Sequence, residues 1–299
     1  MTRRNTPRIS FIGFGEAGQA IASGLREGGI EQVTAWDILF PAAEGAKLKA
    51  AGEKMGVRLA RSAAEAVAET DMVISAVTAA SSLEAAQSVA PHLSGNPYYL
   101  DVNSVSPGRK QATEKVLDGK ARYVDVAIVA PIHPKRHKTP LLIAGPHADG
   151  IAPLLQEMEM TLKIVPGETG KAAAIKMIRS VMIKGIEALT LECFLAAERA
   201  GLVEEVAASM KNNYPTLDFG KLADYNIERM ASHGERRAAE MEESCLTLRE
   251  LGIDPAMTEG TVARQREMGR IGKIEAVRST LEEGHAAMLK AISAAKGVA

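Results

Sequence analysis

The sequence predicts two folding regions: an α/β domain built on a parallel sheet over residues 1–166, and an all-α domain over residues 167–299. Three observations carry this. Short β-branched runs alternate with alanine-rich helical stretches through the first half, the texture of repeated strand–helix units. Pro166-Gly167 then breaks the pattern, and no strand-like run follows it. A chain of 299 residues also exceeds one ordinary core and suits two.

The elements follow in order. Ile9 to Ile12 reads as a strand, and Glu16 to Glu27 as a helix with Ala17, Ala20, Ile21, Gly24 and Leu25 on one face. Gly28-Gly29 stops that helix. Val33 to Trp36 is the next strand. Ser62 with Glu65, and Ser81 with Glu84, have capping-box spacing and start two helices around a buried strand, Met72 to Val77. Tyr98 to Val102 is another strand. Ser106-Pro107 opens a helix with serine as cap and proline at the first helical position. Tyr123 to Val129, Leu141 to Ala144 and a weaker run, Leu162 to Val165, complete the strands. Beyond them, Gly170 to Ala200 is one long helix stopped at Gly201. Helical patterns follow at Val203–Lys211, Phe219–Ala231, Glu235–Leu251, Ala256–Gly269 and Ile274–Ala295.

Composition removes several function classes. The formal charge is −1, which argues against a nucleic-acid protein. No apolar run is long enough to cross a bilayer, and the first residues lack the apolar core of a signal peptide. Two cysteines, Cys193 and Cys245, exclude a disulfide framework and make the cytoplasm the expected compartment. No Cys/His spacing suits a metal, so no metal ligand is expected, and no G-x-S-x-G elbow offers a nucleophilic serine.

The loop Gly13-Phe14-Gly15-Glu16-Ala17-Gly18 is a G-x-G-x-x-G that follows a strand and opens a helix, the context that a Rossmann dinucleotide fingerprint requires. Gly13 permits the tight turn, Gly15 lets the backbone approach a pyrophosphate, and Gly18 lets the helix pack against the sheet. The anion would meet unpaired amides and the positive end of the helix dipole. Asp37 ends the second strand nineteen residues after Gly18, where a carboxylate accepts from ribose hydroxyls and repels a 2′-phosphate. Ile38-Leu39-Phe40 offer no arginine for such a phosphate, so NAD is expected over NADP. Val77 and Thr78, at the end of the Met72 run, and Asn103 are counted with the cofactor contacts.

Lys176 lies early in the long helix among apolar neighbours. Desolvation lowers a lysine pKa toward the range of proton transfer, yet on pattern alone a lysine snorkelling from a helix face fits better. Nearly the whole chain resembles the β-hydroxyacid dehydrogenase superfamily of 3-hydroxyisobutyrate and 6-phosphogluconate dehydrogenases. The motifs are the glycine loop at Phe11–Gly18, Asp101-Val102-Asn103-Ser104-Val105-Ser106-Pro107, and Gly167 to Ser180. The segment His233-Gly234-Glu235-Arg236-Arg237-Ala238-Ala239-Glu240-Met241 resembles a bacterial subgroup of 6-phosphogluconate dehydrogenase NAD-binding-like proteins with a distinctive C-terminal domain. The resemblance implies that Lys176 is the general acid/base, that Asn103, Ser104 and Ser180 orient substrate or nicotinamide, and that the helical domain pairs two subunits as a homodimer. It also implies an active site in the cleft between the domains and hydride transfer between nicotinamide and the alcohol of a small anionic hydroxy acid.

Two departures bear on substrate. The signature asparagine is Ser180, and the family's carboxylate loop is replaced by Val129-Ala130-Pro131, which offers neither a hydroxyl nor a full set of amides. An anion grip could come instead from the basic stretch His133-Pro134-Lys135-Arg136-His137-Lys138, with His133 foremost, or from Arg179, Arg236 or Arg237. Each also reads as solvated surface charge. An imine or carbonyl reductase on the same scaffold and a redox-silent dinucleotide-binding protein remain as alternatives.

Overall fold

The computed structural model describes residues 6–296. The chain divides into two compact units, Met1–Lys176 and Met177–Ala299. The first is built on one eight-stranded sheet. Its strands are β1 (Ile9–Ile12), β2 (Val33–Trp36), β3 (Arg58–Leu59), β4 (Met72–Ser75), β5 (Tyr98–Asp101), β6 (Arg122–Ile128), β7 (Leu141–Ala144) and β8 (Leu162–Ile164), in the order β3-β2-β1-β4-β5-β6-β7-β8. The helices between them are α1 (Glu16–Glu27), α2 (Ala46–Lys54), α3 (Ala63–Val67), α4 (Ser82–Val89), α5 (Pro107–Leu117) and α6 (Ala148–Glu157). Strand order reverses between β1 and β4, and their carboxyl ends open the crevice where dinucleotides bind in such sheets.

β1 and β4 are apolar on both faces because helices cover both. Phe11, Met72, Ile74, Leu100 and Val124 pack on one side with Ile21 and Leu25 of α1 and Ile151 and Leu155 of α6. Ile12, Val73, Tyr99 and Tyr123 pack on the other with Val67, Ala86, Val89 and Leu117. Side chains alternate between these two cores as strand geometry requires. The parallel sheet expected from sequence holds everywhere except at β6–β7, which pair antiparallel with Asp125 opposite Ala144. The twelve residues between those strands contain no α-helix, only a short 3-10 turn at Arg136–Lys138, so the chain reverses instead of crossing over.

The second unit is helical. The helix α7 (Lys171–Ala200) begins in the first unit and continues into the second, followed by α8 (Val203–Lys211), α9 (Phe219–Glu250), α10 (Ala256–Ile271), α11 (Glu275–Arg278) and α12 (His285–Lys296). Leu191, Phe194, Ile227, Met230, Met268 and Ile292 form its core. Sequence periodicity predicts a break near Ser232-Gly234, yet α9 runs through it unbroken. Gly234 is held in helix because α10 packs against it so closely that a Cβ there would lie 2.5 Å from Gly269 N. The helix expected over Ile274–Ala295 is instead two, α11 and α12. Ser62 caps α3 as its spacing predicts, accepting from Glu65 N at 3.1 Å. Ser81 does not cap α4: its hydroxyl is met by Thr78 at 3.1 Å within a 3-10 turn. Among the described residues no helix is long and apolar enough to cross a membrane.

Candidate active site

The glycine loop leaves β1 at Gly13, whose φ of +90° is left-handed. Any side chain at Gly13 would press on Val77 Cγ1 at 2.7 Å, and one at Gly18 on Gly13 O at 2.6 Å. At Gly15 nothing lies within 4 Å of the missing Cβ. Two glycines therefore close the turn against the sheet, and the third faces open space. The first helical bond of α1 is Gln19 N to Gly15 O at 2.9 Å, so the amides of Glu16, Ala17 and Gly18 have no acceptor within the helix. A backbone cradle of this shape fits a pyrophosphate.

Phe14 is buried edge-on against Phe11 and Phe40 and pins the loop into the core. Its amide donates to Asp37 Oδ2 at 2.7 Å, and Leu39 N donates to Asp37 Oδ1 at 2.9 Å. Asp37 thus ties the end of β2 to the glycine loop. Each of its oxygens keeps a lone pair for a hydroxyl. The sheet also brings Arg58 of β3 beside Thr34 of β2, which linear order hides, and Arg61 follows two residues after the strand. Both are tied to Glu65, at 2.9 and 3.1 Å, and these bonds, with the Arg61 amide, hold that carboxyl down at about 2.

The carboxyl ends of β4 and β5 complete this edge. Asn103 is buried and clips them together: its Oδ1 accepts from Val77 N at 2.7 Å and its Nδ2 donates to Ser75 Oγ at 3.0 Å. That clip fixes Val77 and half-exposes Ser104 just beyond. Lys176 Nζ donates to Ser104 Oγ at 2.5 Å. Two of the expected site residues, 72 positions apart, are therefore in contact within the first unit.

Below them lies a charged cluster that sequence reasoning passed over. Lys110 of α5 is fully buried; its Nζ donates to the carbonyls of Asp101 at 2.6 Å and Val126 at 3.3 Å. The same ammonium lies 3.1 Å from Asp101 Oδ1 and 3.6 Å from Asp125 Oδ1. Asp101 accepts from Asn103 N at 3.0 Å and from the Tyr123 hydroxyl at 2.7 Å. Asp125 Oδ2 accepts three backbone amides at the start of α7: Gly170 at 3.0 Å, Ala172 at 3.0 Å and Ala173 at 3.2 Å. Burial pushes the Asp125 carboxyl up, opposed by Lys110 and by those amides. A carboxylate at a helix N-terminus is favoured by the dipole. One network thus holds the Asn103-Ser104 segment and the first turn of the helix that carries Lys176. The available signal was an acidic residue inside an apolar strand run, which must be buried with a partner; Lys110 gave none, because a helix lysine defaults to solvent.

The surroundings of the other expected residues are as follows within each unit. In the basic stretch, Arg136 donates to Glu27 and to Ser23 Oγ at 3.0 Å, and Lys138 pairs with Glu159 at 3.1 Å. His137 is buried over Gly24, and burial pushes its pKa down. Ser23 and Glu27 are seven and eleven residues into α1, about 10–16 Å along its axis from the glycine loop. His133 and Lys135 are exposed. In the second unit, Arg179 is exposed, and Ser180 is buried with Lys184 Nζ 3.5 Å from its hydroxyl. Lys184 in turn donates to Glu240 at 2.7 Å. Arg237 is not surface charge: it is buried against Glu187, whose other oxygen accepts from Gln265 at 2.8 Å. That pairing engages one end of the Arg237 guanidinium.

Known proteins share the family and the fold. Residues 197–268 match the family described as a domain of unknown function (DUF1932). A conserved hypothetical protein from Sinorhizobium meliloti 1021 is 34% identical, with 96% of each chain covered and a TM-score of 0.77. The conserved protein MTH1747, of unknown function and structurally similar to 3-hydroxyacid dehydrogenases, is 30% identical over 88% of this chain and 97% of its own, with a TM-score of 0.69. The 3-hydroxyisobutyrate dehydrogenase of Mycobacterium tuberculosis shares the fold over 97% of this chain and 99% of its own, at 15% identity and a TM-score of 0.70. Residues 8–166, more than half of the chain and the whole segment that carries the glycine loop, match the NAD binding domain of 6-phosphogluconate dehydrogenase, and the chain belongs to that family.

Proposed function

We propose that the protein is an NAD-dependent dehydrogenase that moves a hydride between nicotinamide and the CH–OH of a small anionic hydroxy acid. The observation that carries this is the contact of Lys176 Nζ with Ser104 Oγ at the edge of the sheet where β1, β4 and β5 end. When bound, the nicotinamide accepts or returns the hydride. Lys176 takes the hydroxyl proton as the C–H bond is lost, and gives it back in the reverse direction. Ser104 holds the Lys176 amine in place and can share the substrate hydroxyl. Asp37, whose carboxylate accepts from ribose hydroxyls and repels a 2′-phosphate, favours NAD over NADP.

The working unit we propose is a homodimer. Ile178, Met182, Ile186 and Leu189 fall on one face of α7, and Met182 is 66% exposed and Leu189 58%. An apolar stripe of this kind is uncommon on a monomer.

The test is a panel of small hydroxy acids, sugar acids and their phosphates, each assayed with NAD and with NADP. Lys176→Ala is expected to cut turnover by roughly 10²–10⁴-fold while cofactor affinity is kept. Unchanged turnover removes Lys176 from the mechanism, and a clear NADP preference overturns the role given to Asp37.

A further inference from the structure

Within the helical unit, α9 and α10 touch backbone to backbone. A Cβ on Gly272 would lie 2.7 Å from Ala231 C, as one on Gly234 would crowd Gly269. Beside this crossing opens a cavity of about 430 Å³, lined by His233 and Arg236 of α9, Gly269 of α10, Lys273 just after it, and Arg278 of α11. That volume lies within the range of small-molecule sites.

Its charge is distinctive. Three permanent cations, Arg236, Lys273 and Arg278, line it against one lining carboxylate, Glu235. Each cation has an acidic neighbour: Lys273–Glu235 at 2.8 Å, Arg236–Glu240 at 3.8 Å and Arg278–Glu275 at 3.7 Å. These arginines and Lys273 are more than half exposed, and exposed pairs of this kind hold weakly. They contrast with the closed pair of Arg237 and Glu187 on the buried side of the same helix. Cations held by loose contacts around a cavity can turn toward an incoming anion at small cost.

We propose that this cavity binds the phosphoryl group of a small-molecule phosphate. A phosphoryl dianion carries more charge and more acceptor oxygens than any one of the carboxylates it would displace from these cations. The two guanidinium groups can each offer a paired set of donors to its oxygens, and Lys273 adds a point charge. The proposal concerns the helical unit alone and does not depend on Lys176.

The full chain, saturated with NADH so that the glycine loop is occupied, is titrated with inorganic phosphate at low ionic strength and followed by ³¹P NMR. The variants are Arg236→Gln, the double variant Arg236→Gln/Arg278→Gln, and Lys211→Gln as an exposed cation of the same unit outside the cavity. Saturable binding is expected in the wild-type chain and in Lys211→Gln. It weakens in Arg236→Gln and falls by roughly tenfold or more in the double variant, as loss of charge-assisted hydrogen bonds requires, with NADH affinity unchanged. A parallel titration with malonate is expected to be weaker than phosphate. Phosphate affinity that is equal in wild type and double variant, absence of saturable binding, or tighter binding of malonate overturns the proposal. Failure of the Lys176 chemistry shows only in turnover and leaves these titrations intact.

Discussion

At the scale of single residues, His137 shows how a loop residue becomes part of a core. Its ring is buried over Gly24, and neither ring nitrogen has a hydrogen-bond partner. Burial is the main cause that lowers its pKa, reinforced by Lys138 and Arg136 and opposed by Glu159 and Glu27. A histidine whose folded pKa is depressed contributes stability that is present above its ordinary value near 6.5 and is lost as pH falls through the folded value. Stability is therefore expected to decline on acidification below about pH 6.5, by at most about 1.4 kcal/mol per pH unit from this one proton. His137→Leu should flatten that part of the curve, measured by thermal unfolding between pH 7.5 and 5. An unchanged acid slope would assign it to other groups. Asp37 makes a related point. Read in order it is a ribose ligand, but folded it is first a tie that carries the Phe14 amide.

At the scale of elements, the position of the first turn of α7 is decided by Asp125. Three amides converge on one carboxylate oxygen, a turn before Lys176. Asp125→Asn keeps the shape and loses the charge. Hydrogen bonds to charged groups contribute about 1.5–3 kcal/mol, and a stability loss of that size is expected in urea unfolding. Amides 170–173 should exchange faster with solvent, and turnover should fall with cofactor affinity kept. Full protection of those amides in the variant would show that α7 is positioned by other means. Much of the element list was legible: β1, α1, β2 and α7 follow from apolar periodicity, glycine stops and the Pro166-Gly167 break. What was hidden depends on distant neighbours. The unbroken α9 needs the α10 glycines beside Gly234, and the β6–β7 reversal needs a connection that the sequence marks only as basic and proline-bearing.

At the scale of the whole molecule, the open apolar face of α7 is the feature that assembly would explain. Met182 lies in the middle of that face. If the stripe is the seam of a homodimer, Met182→Glu buries a charge at its centre, and a buried charge without a partner is strongly unfavourable. Light scattering on the eluting protein is expected to give twice the chain mass of 31.7 kDa for the wild type and a monomer for the variant. A monomeric wild type, or an unchanged variant, overturns the dimer.

The sequence by itself determined the alternation of strands and helices, the switch to an all-helical second half and the glycine loop, because hydrophobic period and turn chemistry act over a few residues. It also marked Lys176, through a motif. Tertiary structure alone decided that Lys176 meets Ser104, that Asp125 receives the start of α7 from 45 residues away, and that Arg237 is buried while Arg236 lines a cavity with Arg278. Those outcomes depend on which side chains a packed sheet and crossed helices bring together, and pairings over such separations are set by burial and charge compensation rather than by local order.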